Sequence, residues 1–208
     1  ACPASWRWTS NRRWKWRKPI EIKISGSLCT RRGYLKTVNP KPSIIMTFEQ
    51  TDTLIDSYFG EEISEYELLY TVEAACQEQT GGSVSFLKAY FADGIERRDA
   101  GRIEYALVLA GLLGKDRQLL GLYETLLLAD WHHSHEDIVA SLEEEGNASN
   151  VPVLQQAFSL KLPHMAYNGH YSFHRKLLYA IRKLAPQQFP QIYKTVRNQL
   201  CAELKNGF

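Results

Sequence analysis

A chain of 208 residues reads as one domain, or one domain with an appendage, and can bury roughly 70% of its unfolded surface without a metal or disulfide framework. Apolar residues make up 44% and charged residues 23%, which excludes disorder throughout, and the longest nearly apolar run, Tyr105 to Gly114, is half the length of a membrane span. The net charge of +2 conceals three blocks: residues 1–45 hold eleven Lys/Arg against Glu21, residues 46–145 hold six against twenty-one Asp/Glu, and residues 146–208 hold eight against Glu203. Such asymmetry points to charged partners or to segments of separate origin.

Residues 1–45 open with Trp6-Arg7-Trp8 and Arg12-Arg13-Trp14-Lys15-Trp16-Arg17-Lys18, and four of the five tryptophans fall within eleven residues. Alternation of Trp with Arg breaks up the apolar core that a secretory signal needs. One reading is a basic aromatic arm whose cations neutralise phosphates while its indoles stack on bases or sit in a lipid interface. The other, which we favour, is an unstructured extension foreign to the natural product. The chain begins with Ala1, no periodic pattern precedes residue 47, and Met46 stands as an initiator just before the first helical segment. Ile20 to Ile24 alternates like a strand but has no partner strand.

From Met46 onward the apolar period is close to 3.6. Phe48, Leu54, Ile55, Tyr58 and Phe59 predict a first helix closed by Gly60. Ser64 and Glu67 form a capping box for a second, which runs to Gly81-Gly82. A short third segment, Ser83 to Ala92, ends at Gly94. Three helical pairs follow: Arg102–Gly114 with Asp116–Leu128, His135–Gly146 with Asn150–Leu160, and Arg175–Ala185 with Gln187–Leu204. The breakers at 114, 146 and 185 give repeats of 32 and 39 residues, a period at which helical pairs stack because one pair cannot bury its apolar face alone.

The frame Arg-x3-Ala-x-x-Leu-x4-Gly over Arg102 to Gly114, before a Leu-rich helix, resembles degenerate HEAT repeats. Asp130 to Ile138, Leu142-Glu143-Glu144-Glu145-Gly146 and Val151-Pro152-Val153-Leu154 resemble small bacterial HEAT-like proteins of the immunity kind. The resemblance covers about residues 95–205. It implies an all-α, right-handed α-solenoid over residues 46–208, capped by divergent helices at its start, that neutralises a toxin domain from a neighbouring gene. The third repeat lacks the glycine, and residues 161–170 form a longer insertion.

Cys2, Cys29, Cys76 and Cys201 have no metal-binding or redox spacing, which fits a reducing, cytoplasmic setting; Cys76 lies on an apolar helical face as a small hydrophobe. His132, His133 and His135 are candidate metal ligands, but no Cys or well-spaced carboxylate completes a set of four. Ser134 as N-cap with Asp137 at N3, and Trp131 as a packing anchor, is the reading we adopt. His164, Tyr167, His170, Tyr171 and His174 surround the insertion and suit a contact surface better than an active site.

These patterns predict no catalytic residue, metal or cofactor, and no enzyme activity. The expected function is stoichiometric binding of a basic protein domain, a cognate toxin and possible nuclease, by masking its active site with an acidic surface. The candidate contact residues are Asp116, Tyr123, Glu124, Asp130, Glu143, Glu144, Glu145, Gln155, Gln156, Tyr167 and His170. If nucleic acid binds at all, residues 1–45 are the only segment expected to contact it. A HEAT-like nucleic-acid-binding protein or base-excising enzyme is the alternative, favoured by the basic 146–208 block and the Trp/Arg arm, and a scaffold or adaptor is the third reading.

Overall fold

The computed structural model describes residues 46–77, 82–168 and 170–206, all within one compact unit, residues 40–208. The basic extension and its Ile20–Ile24 alternation lie outside the described residues. Among the described residues there are nine α-helices and no strand, and no helix is long and apolar enough to cross a membrane.

Local chemistry accounts for most of the boundaries. Helix α1 (Phe48–Phe59) starts at a capping box that the periodicity does not reveal: Thr47 Oγ1 accepts from Gln50 N–H at 3.2 Å and Gln50 Oε1 accepts from Thr47 N–H at 2.9 Å. It ends at Gly60, as predicted. Helix α2 (Glu65–Gln77) starts at the expected Ser64–Glu67 box, where Glu67 Oε2 accepts from Ser64 N–H at 2.8 Å. Its predicted terminus near Gly81 lies outside the described residues.

Helix α3 (Gly82–Arg97) runs on past the expected stop at Gly94. That glycine is a notch and not a breaker. A Cβ there would sit 3.0 Å from Ile103 Cδ1 and 3.4 Å from Arg102 Cγ, both on helix α4 (Ala100–Leu112). Missing side-chain volume lets α3 and α4 close on each other, and the chain turns between them at Arg98, which adopts φ 52°. Asp99 then caps α4, its carboxylate accepting from Arg102 N–H at 3.1 Å.

The expected pairs are present, the first two with shorter second helices than expected and the third with one of the expected length, shifted by two residues. Gly114, at φ 62°, ends the first helix of its pair. A 3-10 turn (Asp116–Gln118) then leads into α5 (Leu120–Leu127). Helix α6 (His135–Glu145) is followed by a 3-10 turn (Ala148–Asn150) and by α7 (Val151–Gln156), which tightens into a 3-10 turn at Ala157–Ser159. Much of the 161–170 insertion is itself helical, a 3-10 segment at Pro163–Asn168. Helices α8 (Tyr171–Leu184) and α9 (Phe189–Asn206) complete the described chain.

The helices bury one continuous core. Its largest fully buried side chains include Tyr90 and Phe91 of α3, Tyr123 of α5, Phe173 of α8, and Ile55 of α1. Helices α1, α2, α3 and α4 pack in sequence order, and α1 returns to touch α4. Helix α6, a first helix of its pair, packs on α8, the first helix of the next, and the second helices α5 and α7 also meet.

Candidate functional site

The residues expected to form a partner surface on α5 and α7 fall into two groups. Tyr123 does not project. It is fully buried, its ring meets Phe91 edge-on at 5.9 Å, and its hydroxyl donates to Asp116 at 2.6 Å. Burial first, and then the Asp116 charge, raise its pKa, so the phenol stays protonated. The spacing placed Tyr123 on the second helix correctly but on the wrong side, because α5 is apolar on most of its circumference. Half-buried Glu124 accepts from Asn150 Nδ2 at 2.7 Å, and Asn150 Oδ1 accepts from Asn147 N–H at 2.8 Å. Asp116 and Glu124 therefore brace the turns between elements.

Asp130, Glu144, Glu145, Gln155 and Gln156 are exposed, and Glu143 is half-buried. His170 is half-buried at φ 62°, and its Nε2 accepts from Leu162 N–H at 2.8 Å, which closes the insertion on itself. The side chain of Tyr167 lies outside the described residues.

All six histidines of the chain lie between residues 132 and 174, and their rings touch across three elements. His132 stacks on His135 at 4.3 Å, His164 lies 4.5 Å from His133 and 5.5 Å from His135, and His170 stacks near His174 at 5.9 Å. Trp131 stands edge-on to His132 at 5.3 Å and packs against the core. Ser134 occupies the N-cap position of α6 but makes no side-chain cap bond. Its backbone is not extended, and its N–H instead donates to His132 Nδ1 at 3.2 Å. That acceptance fixes the proton of His132 on Nε2, which donates to Leu126 C=O at 2.8 Å. His135 Nε2 donates to Ala129 C=O at 2.6 Å, and its Nδ1 is buried with no hydrogen-bond partner. Both rings are fully buried. Desolvation lowers the pKa of His132, and burial together with His132 lowers that of His135 to about 4. His132 and His135 thus staple the α5–α6 turn as neutral rings. Among the described residues, no group of three or more His, Cys, Asp or Glu is placed to hold a metal.

No described protein family, curated protein or solved structure matches this chain.

A second charged assembly lies at the start of the domain. Arg102 is 5% exposed and donates to Asp52 of α1 and Asp93 of α3, with Glu49 3.7 Å away. Its guanidinium stands 5.7 Å from the Tyr90 ring and 6.0 Å from that of Phe48. Burial opposes its charge, but the bonds to Asp52 and Asp93 outweigh that and raise its pKa. Tyr90 donates to the same Asp52. This cation locks α1 onto α3 and α4, and it fixes how α1 and α2 present their outer faces.

Those outer faces form the acidic surface that spacing on α5 and α7 did not locate. Between residues 46 and 87 there is no Lys or Arg, while Glu49, Asp56, Glu61, Glu62, Glu65, Glu67 and Glu73 are exposed. On α2, Leu68, Val72, Ala75 and Cys76 are buried, and burial raises the pKa of the Cys76 thiol. Tyr66 and Tyr70, four residues apart on the opposite face, are 75% and 62% exposed and stack at 6.1 Å. The missing signal was a pair of tyrosines at i and i+4 facing away from the apolar stripe in a stretch without cations.

Proposed function

We propose that this domain is a stoichiometric protein-binding module that captures a cationic protein domain on the outer faces of α1 and α2. The observation that carries the reading is the stacked, exposed Tyr66–Tyr70 pair inside a field of carboxylates with no neighbouring Lys or Arg in sequence. Aromatic residues give binding surfaces most of their energy, and a one-signed rim steers a partner of opposite charge and makes association fast and salt-sensitive. The packing of α6 on α8 and of α5 on α7 supports a HEAT-like solenoid as the scaffold. With that architecture, the resemblance of residues 130–154 supports an immunity protein that masks the active site of a bacterial toxin domain. Masking needs no chemistry from the binder, only shape and charge held in advance.

The test uses the full chain as bait in a lysate of the source organism, beside a Tyr66→Ala/Tyr70→Ala variant and a Glu62→Lys/Glu73→Lys variant. The reading expects a basic domain recovered at one-to-one stoichiometry, lost with either variant, and released by moderate salt. Retention of the same partner by both variants refutes the α1–α2 surface, and recovery of acidic proteins refutes the charge argument.

A further inference from the structure

Helix α8 carries a second patterned face, of opposite charge. Its buried residues, Phe173, Leu177, Ala180 and Ile181, set the direction of the core. At about 100° per residue, Tyr171, Arg175, Tyr179 and Arg182 fall on the directly opposite side. All four are exposed, with Tyr171 at 68% and Tyr179 at 54%. Tyrosine and arginine alternate along this stripe, and the two rings stand about 12 Å apart along the axis at about 1.5 Å per residue. The Arg175 guanidinium lies 6.0 Å from the Tyr171 ring centroid, so the cation and the π-face form one platform.

The surroundings leave this platform positive. From Gly146 to Ala202 the chain contains no Asp or Glu, and exposed Lys183 on α8 and Lys194 and Arg197 on α9 add cations. Helix α6, which packs on α8, brings Glu136 and Asp137, but toward the flank. Glu136 accepts from Lys176 at 2.7 Å and feels the charge of Arg175, so it offsets part of one cation of the stripe and leaves Arg182 to the cationic side.

We propose that the Tyr171–Arg175–Tyr179–Arg182 stripe binds a single-stranded polynucleotide, with bases stacked on the two tyrosines and phosphates paired with the two arginines. Alternating planar rings and cations suit a strand whose bases are unstacked and whose charge lies on its backbone. A lipid surface is disfavoured because the apolar face of α8 is committed to the core. The site lies on different helices from the acidic face proposed for protein capture, so either proposal stands if the other fails.

The experiment is fluorescence anisotropy of a labelled twelve-residue oligothymidylate titrated with the full chain, at several salt concentrations. Since residues 1–45 are themselves cationic, the decisive comparison is between variants. Tyr171→Ala and Tyr179→Ala should each weaken binding about fivefold or more. Arg175→Ala/Arg182→Ala should lower the slope of log affinity against log salt by about 1.4, the value for two single-strand phosphates. Lys88→Ala, an exposed cation on α3, should change nothing. An oligo-5-iodouridylate should photocrosslink to Tyr171 or Tyr179. Unchanged affinity in the tyrosine variants, crosslinks confined to residues 1–45, or equal binding of polyglutamate or of duplex overturns the proposal.

Discussion

His135 makes the α5–α6 turn sensitive to acid by an amount that follows from its burial. In the unfolded chain its imidazole protonates near pH 6.5; folded, that proton is refused until about pH 4. Between these values the unfolded state binds the extra proton, so stability falls as pH falls through that window and levels off below it. At about 1.36 kcal/mol per pH unit, His135 alone removes about 3 kcal/mol, and His132, whose pKa is lowered by the same burial, acts in the same direction. For a domain of this size that corresponds to roughly 6–12 °C in melting temperature. The assay is urea unfolding followed by circular dichroism at pH 7, 6, 5 and 4, with the full chain and His135→Phe. The variant keeps a ring against His132 and Phe173 but orphans the Ala129 carbonyl, so it should be less stable at pH 7 by about 1–3 kcal/mol. At pH 4 that deficit should vanish or reverse. Parallel stability curves for the two proteins across pH 7 to 4 refute the reasoning.

Removing Arg102 by Arg102→Met leaves Asp52 and Asp93 facing each other with Tyr90 above them, and should cost about 3–5 kcal/mol in urea unfolding. At Gly146 an added Cβ would stand 2.3 Å from the Leu142 carbonyl oxygen. Gly146→Ala should therefore destabilise by about 1–3 kcal/mol, whereas Gly121→Ala, on α5 with nothing within 4 Å, should stabilise by up to about 1 kcal/mol. Glu124→Ala removes the acceptor of Asn150 Nδ2, a residue 4% exposed, and should lower stability by about 1–2 kcal/mol, read by thermal melting.

Helices were legible because their signals are local. The Ser64–Glu67 box, Gly60, Gly114 and Gly146 each mark a boundary through contacts within a few residues. Gly94 misled because its role is set by Ile103 and Arg102 on the next helix, and a notch and a breaker are written with the same letter. Ser134 has the right residue type at the right position, yet a neighbouring histidine occupies its backbone N–H. The candidate site was harder still. Charge in blocks pointed to acidic and basic surfaces, but which residues reach them depends on helix rotation. Tyr123 turns into the core, whereas Tyr66 and Tyr70 turn out of it. Arg102 carried no warning that a cation lies inside the domain, because its acidic partners are nine and fifty residues away.

Those two separations also differ in what they cost the chain to close. The Asp93–Arg102 contact spans nine residues across the short α3–α4 turn, whereas the Asp52–Arg102 contact spans fifty. Closing the longer loop costs about 1.5 kcal/mol more in chain entropy. In a partly unfolded chain the contact across the α3–α4 turn is therefore the cheaper of the two to keep, and the contact to α1 the costlier.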